Sequence, residues 1–222
     1  MKKYVFCFSI LIGIIACKNK DIPGSHNIMG KKGGVKKEIS SSKQIIKQSK
    51  FSAEVVKLND QAVLLINEGN EISYQEAIRL LDKAIRLDTA YYIAYSNKAV
   101  VLTRLGEYDE AINIYRHLVT NIKPDYPEAY TMLGMLNDKV GEKYEAIKYY
   151  KKAIEIYSER ITGKEELMDM INRAHLKFIL DSEKGLEEID SLIRIYPEND
   201  LLQIFRKYMF IDYNHSMALD KL

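Results

Sequence analysis

The stretch GEYDEAINIY, Gly106 to Tyr115, is written again thirty-five residues later as GEKYEAIKYY, Gly141 to Tyr150. In both, an Ala follows the Gly by five places and a Tyr follows the Ala by four. The likeness extends beyond the phrase. Ala77, Ala111 and Ala146 are spaced by 34 and 35 residues, and Tyr95 and Ala99 recur as Tyr130 and Gly134. A repeat of this length constrains the fold more than any other feature, because one unit cannot bury an apolar face alone and must stack on the next. Small residues at fixed places mark close backbone approach, and the Gly permits a tight turn between two helices. The aromatic residues fill the space to the next copy.

This pattern resembles the tetratricopeptide repeat, a helix–turn–helix of about 34 residues. The resemblance implies an all-α fold, a right-handed superhelical solenoid of such repeats closed by a C-terminal capping helix. It places repeats at about 55–88, 92–125 and 127–160, a degenerate one at 164–199, a terminal helix at 200–213 and a tail at 214–222, with the solenoid spanning 51–213. In the second unit Tyr95, Ala99, Leu102, Gly106, Ala111, Tyr115 and Leu118 stand in the family's roles. In the third these are Tyr130, Leu133, Gly134, Gly141, Ala146, Tyr150 and Ala153. The first unit fits through Leu58, Ala62, Leu65, Ala77, Leu81 and Ala84 if Glu71, Ile72 and Ser73 lengthen its turn, with Ser73 as N-cap. The fourth offers Ala174, Gly185, Ile189, Leu192 and Pro197. Two departures stand out: Lys98 takes a place where Leu is usual, and Pro124 arrives one residue late, which makes the spacing 35.

The first sixteen residues read as a leader. Lys2 and Lys3 precede an apolar run from Tyr4 to Ala16, whose thirteen residues would rise only about 20 Å as a helix, short of the roughly 30 Å of a bilayer core. Ile14-Ile15-Ala16-Cys17 resembles the bacterial lipoprotein lipobox, which implies cleavage before Cys17 and acylation of it. Several acyl chains together anchor a protein stably. Residues 17–50 carry nine Lys against Asp21 and Glu38, lack aromatics and show no apolar period. We read them as a tether, able to lie against anionic head groups. With that surplus of seven and the two leader lysines removed from the overall +2, residues 51–222 carry about −7. Because Cys7 falls in the leader, the processed chain would hold no disulfide or thiolate metal site. The expected location is the bacterial cell envelope. Lys18 stands where inner-membrane retention uses Asp, which favours an outer membrane.

No enzyme chemistry is expected. His26, His117, His175 and His215 lie outside ligand spacing of one another, so neither metal nor cofactor is implied, and the sequence lacks H-E-x-x-H, G-x-S-x-G and a phosphate loop in its proper context. His117 is expected late on a second helix, facing solvent or a neighbouring turn. The pair Glu187 and Glu188 reads as a solvated face. Export, and the lack of stacking aromatics in the basic stretch, argue against nucleic acid as a partner.

The family's usual role is to present a surface to other proteins, and its first helices line a concave groove. Carried over by position, the groove would be lined by Asn59, Val63 and Ile66, then Ser96, Val100, Thr103 and Arg104, then Thr131, Met135, Asp138 and Lys139. Co-chaperones of the family grip a C-terminal carboxylate with Lys, Asn and Arg. Asn59, Val63 and Met132 occupy three of those places here, which argues against such a grip and for an apolar, helical peptide from an envelope protein. The alternative is a fixed accessory subunit of an envelope machine; a solute- or glycan-binding module is disfavoured by the absence of Trp. Projected at 100° per residue, the terminal helix spreads its apolar residues over a broad arc and puts Phe210 near the opposite face. That leaves two expectations: the helix sinks deeply into the fourth repeat, or an apolar strip stays exposed and forms a homodimer or partner contact.

Overall fold

The computed structural model describes residues 51–164 and 166–222; the leader, Cys17 and the tether lie outside the described residues. Every regular element among those described is helical. The order is α1 (Ala53–Glu68), α2 (Glu71–Leu87), α3 (Tyr92–Arg104), α4 (Tyr108–His117), α5 (Pro127–Lys139), α6 (Lys143–Gly163), α7 (Leu167–Leu180), α8 (Ser182–Ile195), α9 (Asp200–Arg206) and α10 (His215–Leu219). Two π turns, Leu118–Ile122 and Lys207–Ile211, extend α4 and α9. Each helix from α1 to α8 packs on its successor, and α1 also touches α3. The result is an all-α solenoid of stacked helical pairs.

The local chemistry explains where the helices begin. Ser52 caps α1 by accepting from the Val55 N–H at 3.3 Å, and Pro127 opens α5 where no N–H is needed. The expected long turn with Ser73 as cap is corrected by the structure. Asn70 is the N-cap of α2, accepting from the Ser73 N–H at 3.0 Å, and the helix already starts at Glu71. Ser73 lies inside it, buried, with its hydroxyl donating to Glu68. An Asx cap three residues earlier satisfies an orphan donor of the first turn, so no lengthened turn is required.

Within the second and third pairs the turn is made the same way twice. Gly106 and Gly141 have φ of 78° and 91°, a left-handed conformation that Cβ disfavours. The N–H two places after each helix cap closes a 6→1 bond, Glu107 to Leu102 at 2.9 Å and Glu142 to Asn137 at 2.8 Å. Orphan carbonyls are thereby satisfied.

The extra residue before Pro124 goes into the π turn at 118–122, where Lys123 N–H donates to Leu118 C=O at 2.8 Å. One more residue per turn absorbs an insertion without breaking the helix. The second π turn corrects the helical projection of the C-terminus. A uniform 100° step fails across 207–211, and Phe210 rotates onto the face of Phe205 and Met209, where it is buried beside His175 and Phe178. Leu201, Ile204 and Ile211 stay exposed.

The interior divides into three apolar clusters. One joins α1, α2 and α3, a second joins the α3–α4 and α5–α6 pairs, and a third joins α7, α8 and the α9 extension. Ala77, Ala111 and Ala146 are fully or almost fully buried. At the α7–α8 crossing the backbones come so close that a Cβ on Gly185 would lie 2.4 Å from the Phe178 Cα. Buried charge is paired: Arg160 of α6 reaches Glu128 at 3.2 Å and the Asp125 carbonyl at 2.9 Å. Lys98 pairs with Asp82 at 2.9 Å, which accommodates a cation at a position where Leu is usual. Glu188 is no solvated face; it is 13% exposed and held by Arg173 and Lys177 at 2.7 and 2.5 Å.

Candidate functional site

The groove expected from the sequence lies on α1, α3 and α5. Of its eleven residues, Arg104 is exposed, and Val63, Asp138 and Lys139 are partly buried. Asn59, Ile66, Ser96, Val100, Thr103, Thr131 and Met135 are buried. An open lining at those seven is therefore corrected. The physical reasons differ by residue. Thr103 and Thr131 fold their hydroxyls back on the Ala99 and Pro127 carbonyls at 2.8 and 3.0 Å, satisfying themselves inside the helix. Asn59 accepts from Asn97 of α3 at 2.7 Å, across the seam between neighbouring first helices. Ile66 belongs to the first apolar cluster and Met135 to the second. Arg104, although exposed, donates to the Ile66 carbonyl at 2.9 Å and ties the end of α1 to α3. Met132, one of the three clamp-related positions, is buried as well.

Asp138 and Lys139 are covered by a segment that sequence reasoning treated as a plain tail. After the π turn the chain returns across α7 to α5. Tyr213 stands edge-on to His175, Asn214 caps α10 by accepting from the Met217 N–H at 2.9 Å, and α10 packs on α5. His215 then bridges two groups, with Nε2 at 2.5 Å from Asp138 Oδ2 and Nδ1 at 2.8 Å from the Tyr213 hydroxyl. A carboxylate oxygen only accepts, so Nε2 carries the proton; in the neutral ring Nδ1 accepts from Tyr213. Lys139 meets Asp220 at 3.4 Å and lies 5.8 Å over the Tyr108 ring. Leu222 is buried in the second apolar cluster, with Leu219 packed against it. The available sequence signal was small: an Asn before a short helix, then aliphatic residues three apart.

Burial sets the ionisation of the aromatic groups beneath this segment. Desolvation, helped by the charge of Asp138, raises the Tyr150 and Tyr213 hydroxyls well above the ordinary tyrosine range. Desolvation also holds the His175 imidazole neutral down to about pH 3, with His215 adding to the shift. Its Nε2 and the Tyr150 hydroxyl are buried without a hydrogen-bond partner. His117 is exposed, near Asn121 Nδ2 at 3.0 Å and the Tyr95 ring at 5.7 Å. Among the described residues, no group of His, Cys, Asp and Glu is arranged to hold a metal ion, and no helix is long and apolar enough to cross a membrane.

Stacked helical pairs, turned by the same glycine motif and covered on α5 by a short peptide segment, define the class as a helical-repeat protein. Residues 91–159 match the tetratricopeptide repeat. Heat shock protein STI1 of Saccharomyces cerevisiae is 31% identical over 117 residues, which is 52% of this chain and 20% of that protein. The small glutamine-rich tetratricopeptide repeat-containing protein of Dictyostelium discoideum is 30% identical over 132 residues, 58% of this chain and 38% of that one. The chain thus spans well under two thirds of these relatives' lengths. Among solved structures, the Sgt2 TPR domain from Aspergillus fumigatus is 22% identical, covering 60% of this chain and 82% of its own, at a TM-score of 0.46. Over residues 91–159 the chain is thus similar to tetratricopeptide repeat proteins.

Proposed function

We propose that this chain is a membrane-anchored scaffold that binds a partner protein or peptide on the first-helix face of its solenoid. The observation that carries the reading is the seating of residues 213–222 on α5 and α7: this face accepts a short helical peptide through an ion pair, a histidine–carboxylate bond and an aliphatic contact. The tetratricopeptide match over 91–159 and the protein-binding habit of that family support it. A photo-crosslinking residue at Arg104, exposed on the same face, tests it in the living cell. The expected result is a crosslink to another protein that a charge-reversed face, Asp138→Lys with Lys139→Glu, reduces. Absence of any protein crosslink at Arg104 and neighbouring Val63 overturns the reading.

The anchor and the location belong to this proposal. The lipobox-like Ile14-Ile15-Ala16-Cys17 and the lysine-rich 17–50 support a lipoprotein of the bacterial envelope, outer membrane where there are two. Metabolic labelling with a fatty-acid analogue should mark the wild type and not Cys17→Ser.

A second reading, a fixed accessory subunit or a homodimer through the C-terminal helix, is favoured by one observation. Leu201, Ile204 and Ile211 stay 60%, 44% and 59% exposed on one side of α9 and its π turn. Affinity capture from detergent-solubilised envelope separates the two. One stoichiometric complex that Ile204→Glu dissolves supports the subunit; several substoichiometric partners support the adaptor.

A further inference from the structure

The segment on α5 has the properties of a bound ligand more than those of a core element. α10 has five residues and buries none of them, and Met217 is 54% exposed. A helix that short is unstable by itself, so α5 holds it in shape. Three anchors do the holding. His215 meets Asp138, Asp220 meets Lys139, and Leu222 enters the apolar cluster with Leu219 beside it. Asp138 and Lys139 are consecutive, so they diverge by about 100° around α5 and their partners must stand apart. The six residues from His215 to Asp220, wound into little more than one turn, meet that requirement. Asp220 is 73% exposed, so its pair is screened and weak. Within the segment Leu222 alone is buried, so the cost of detaching it rests mainly on that one side chain.

The geometry points to residues 214–222 as a built-in ligand that occupies the α5 face until a partner peptide of the same chemistry displaces it. Such a peptide presents an imidazole or other N–H donor to Asp138, a carboxylate five residues on to Lys139, and aliphatic side chains where Leu219 and Leu222 sit. This rests on the proposed partner-binding role and assigns to it both a recognition code and a gate.

The test uses the whole chain and a fluorescent synthetic peptide of residues 213–222, with binding read by anisotropy. In one variant, His215→Ala, Asp220→Lys and Leu222→Asp together release the segment. The released variant should bind the peptide at least about tenfold more tightly than the wild type, as follows when the site is open a tenth of the time or less. Adding Asp138→Lys to the released variant should abolish that gain. A released variant that keeps its helical circular dichroism and binds no better than the wild type overturns the proposal. If the triple variant does not fold, His215→Ala alone takes its place, with the same two outcomes. A wild-type chain that is dimeric by light scattering and becomes monomeric with His215→Ala also overturns it, since the segment would then serve a second copy. Arg104 crosslinks without peptide binding leave partner binding standing and remove this proposal; peptide binding without crosslinks removes the partner and, with it, the gate.

Discussion

The Tyr213 ring stands edge-on to the buried His175 ring, centroids 4.6 Å apart and planes at 86°. This contact carries the chain from the end of the solenoid back over α7, and it seals an imidazole that water would otherwise reach. A base kept neutral by burial takes its proton more readily in the unfolded chain. Between the ordinary histidine value of 6.5 and about pH 3, the unfolded state binds the extra proton, so stability is full above that window and falls as pH drops through it. The wild type should lose about 2 kcal/mol between pH 7 and pH 5 from this residue alone. Urea unfolding of His175→Phe at the two pH values checks it: the variant should lose less by that amount.

His215→Ala removes the bond to Asp138 and the one to Tyr213 together. Both are partly solvated, so global stability should fall by only about 1 kcal/mol. Local opening should change far more. Amide hydrogen exchange at Met217 to Leu219 is expected to reach unprotected rates while α3 to α6 stay protected. Equal slowing or quickening across the whole chain would argue that the segment is part of the core.

Ala111 and Ala146 sit at crossings with 0% and 1% of their surface exposed. Ala146→Leu overpacks that contact and should cost about 1–3 kcal/mol, and Ala146→Glu more, because its charge has no partner there. Asp109 and Lys148 are exposed, and substituting either should change stability by less than about 0.5 kcal/mol. Melting temperatures of the four variants give the comparison, and similar values for both classes would refute the register.

Gly185 is held by space and Gly106 by backbone angle, and the two should respond differently. Gly185→Ala places a methyl 2.4 Å from the Phe178 Cα and must push α7 from α8, which should cost at least about 2 kcal/mol. Gly106→Ala meets nothing within 4 Å and pays for its positive φ alone, about 1 kcal/mol. Chemical denaturation of the two single variants measures the gap.

The repeat was legible because it is local and written more than once. Gly106 and Gly141, Ala111 and Ala146, Tyr115 and Tyr150 specify the same helix–turn–helix from short-range chemistry, so the sequence by itself determined an all-α stack of pairs. Three things had to wait for the tertiary structure. Ser73 and Asn70 are both good caps, and only the packing of α2 on α1 selected Asn70. The π turns at 118–122 and 207–211 shift the helical phase by a residue, which no uniform 100° step anticipates, and so Phe210 turned inward. The groove was decided last of all. Whether Asp138 and Lys139 face solvent depends on what lies over them, and their cover comes from His215 and Asp220, some eighty residues further along the chain. One helical turn has no periodicity to read, and a contact made by chain return leaves no mark on the local sequence at either end.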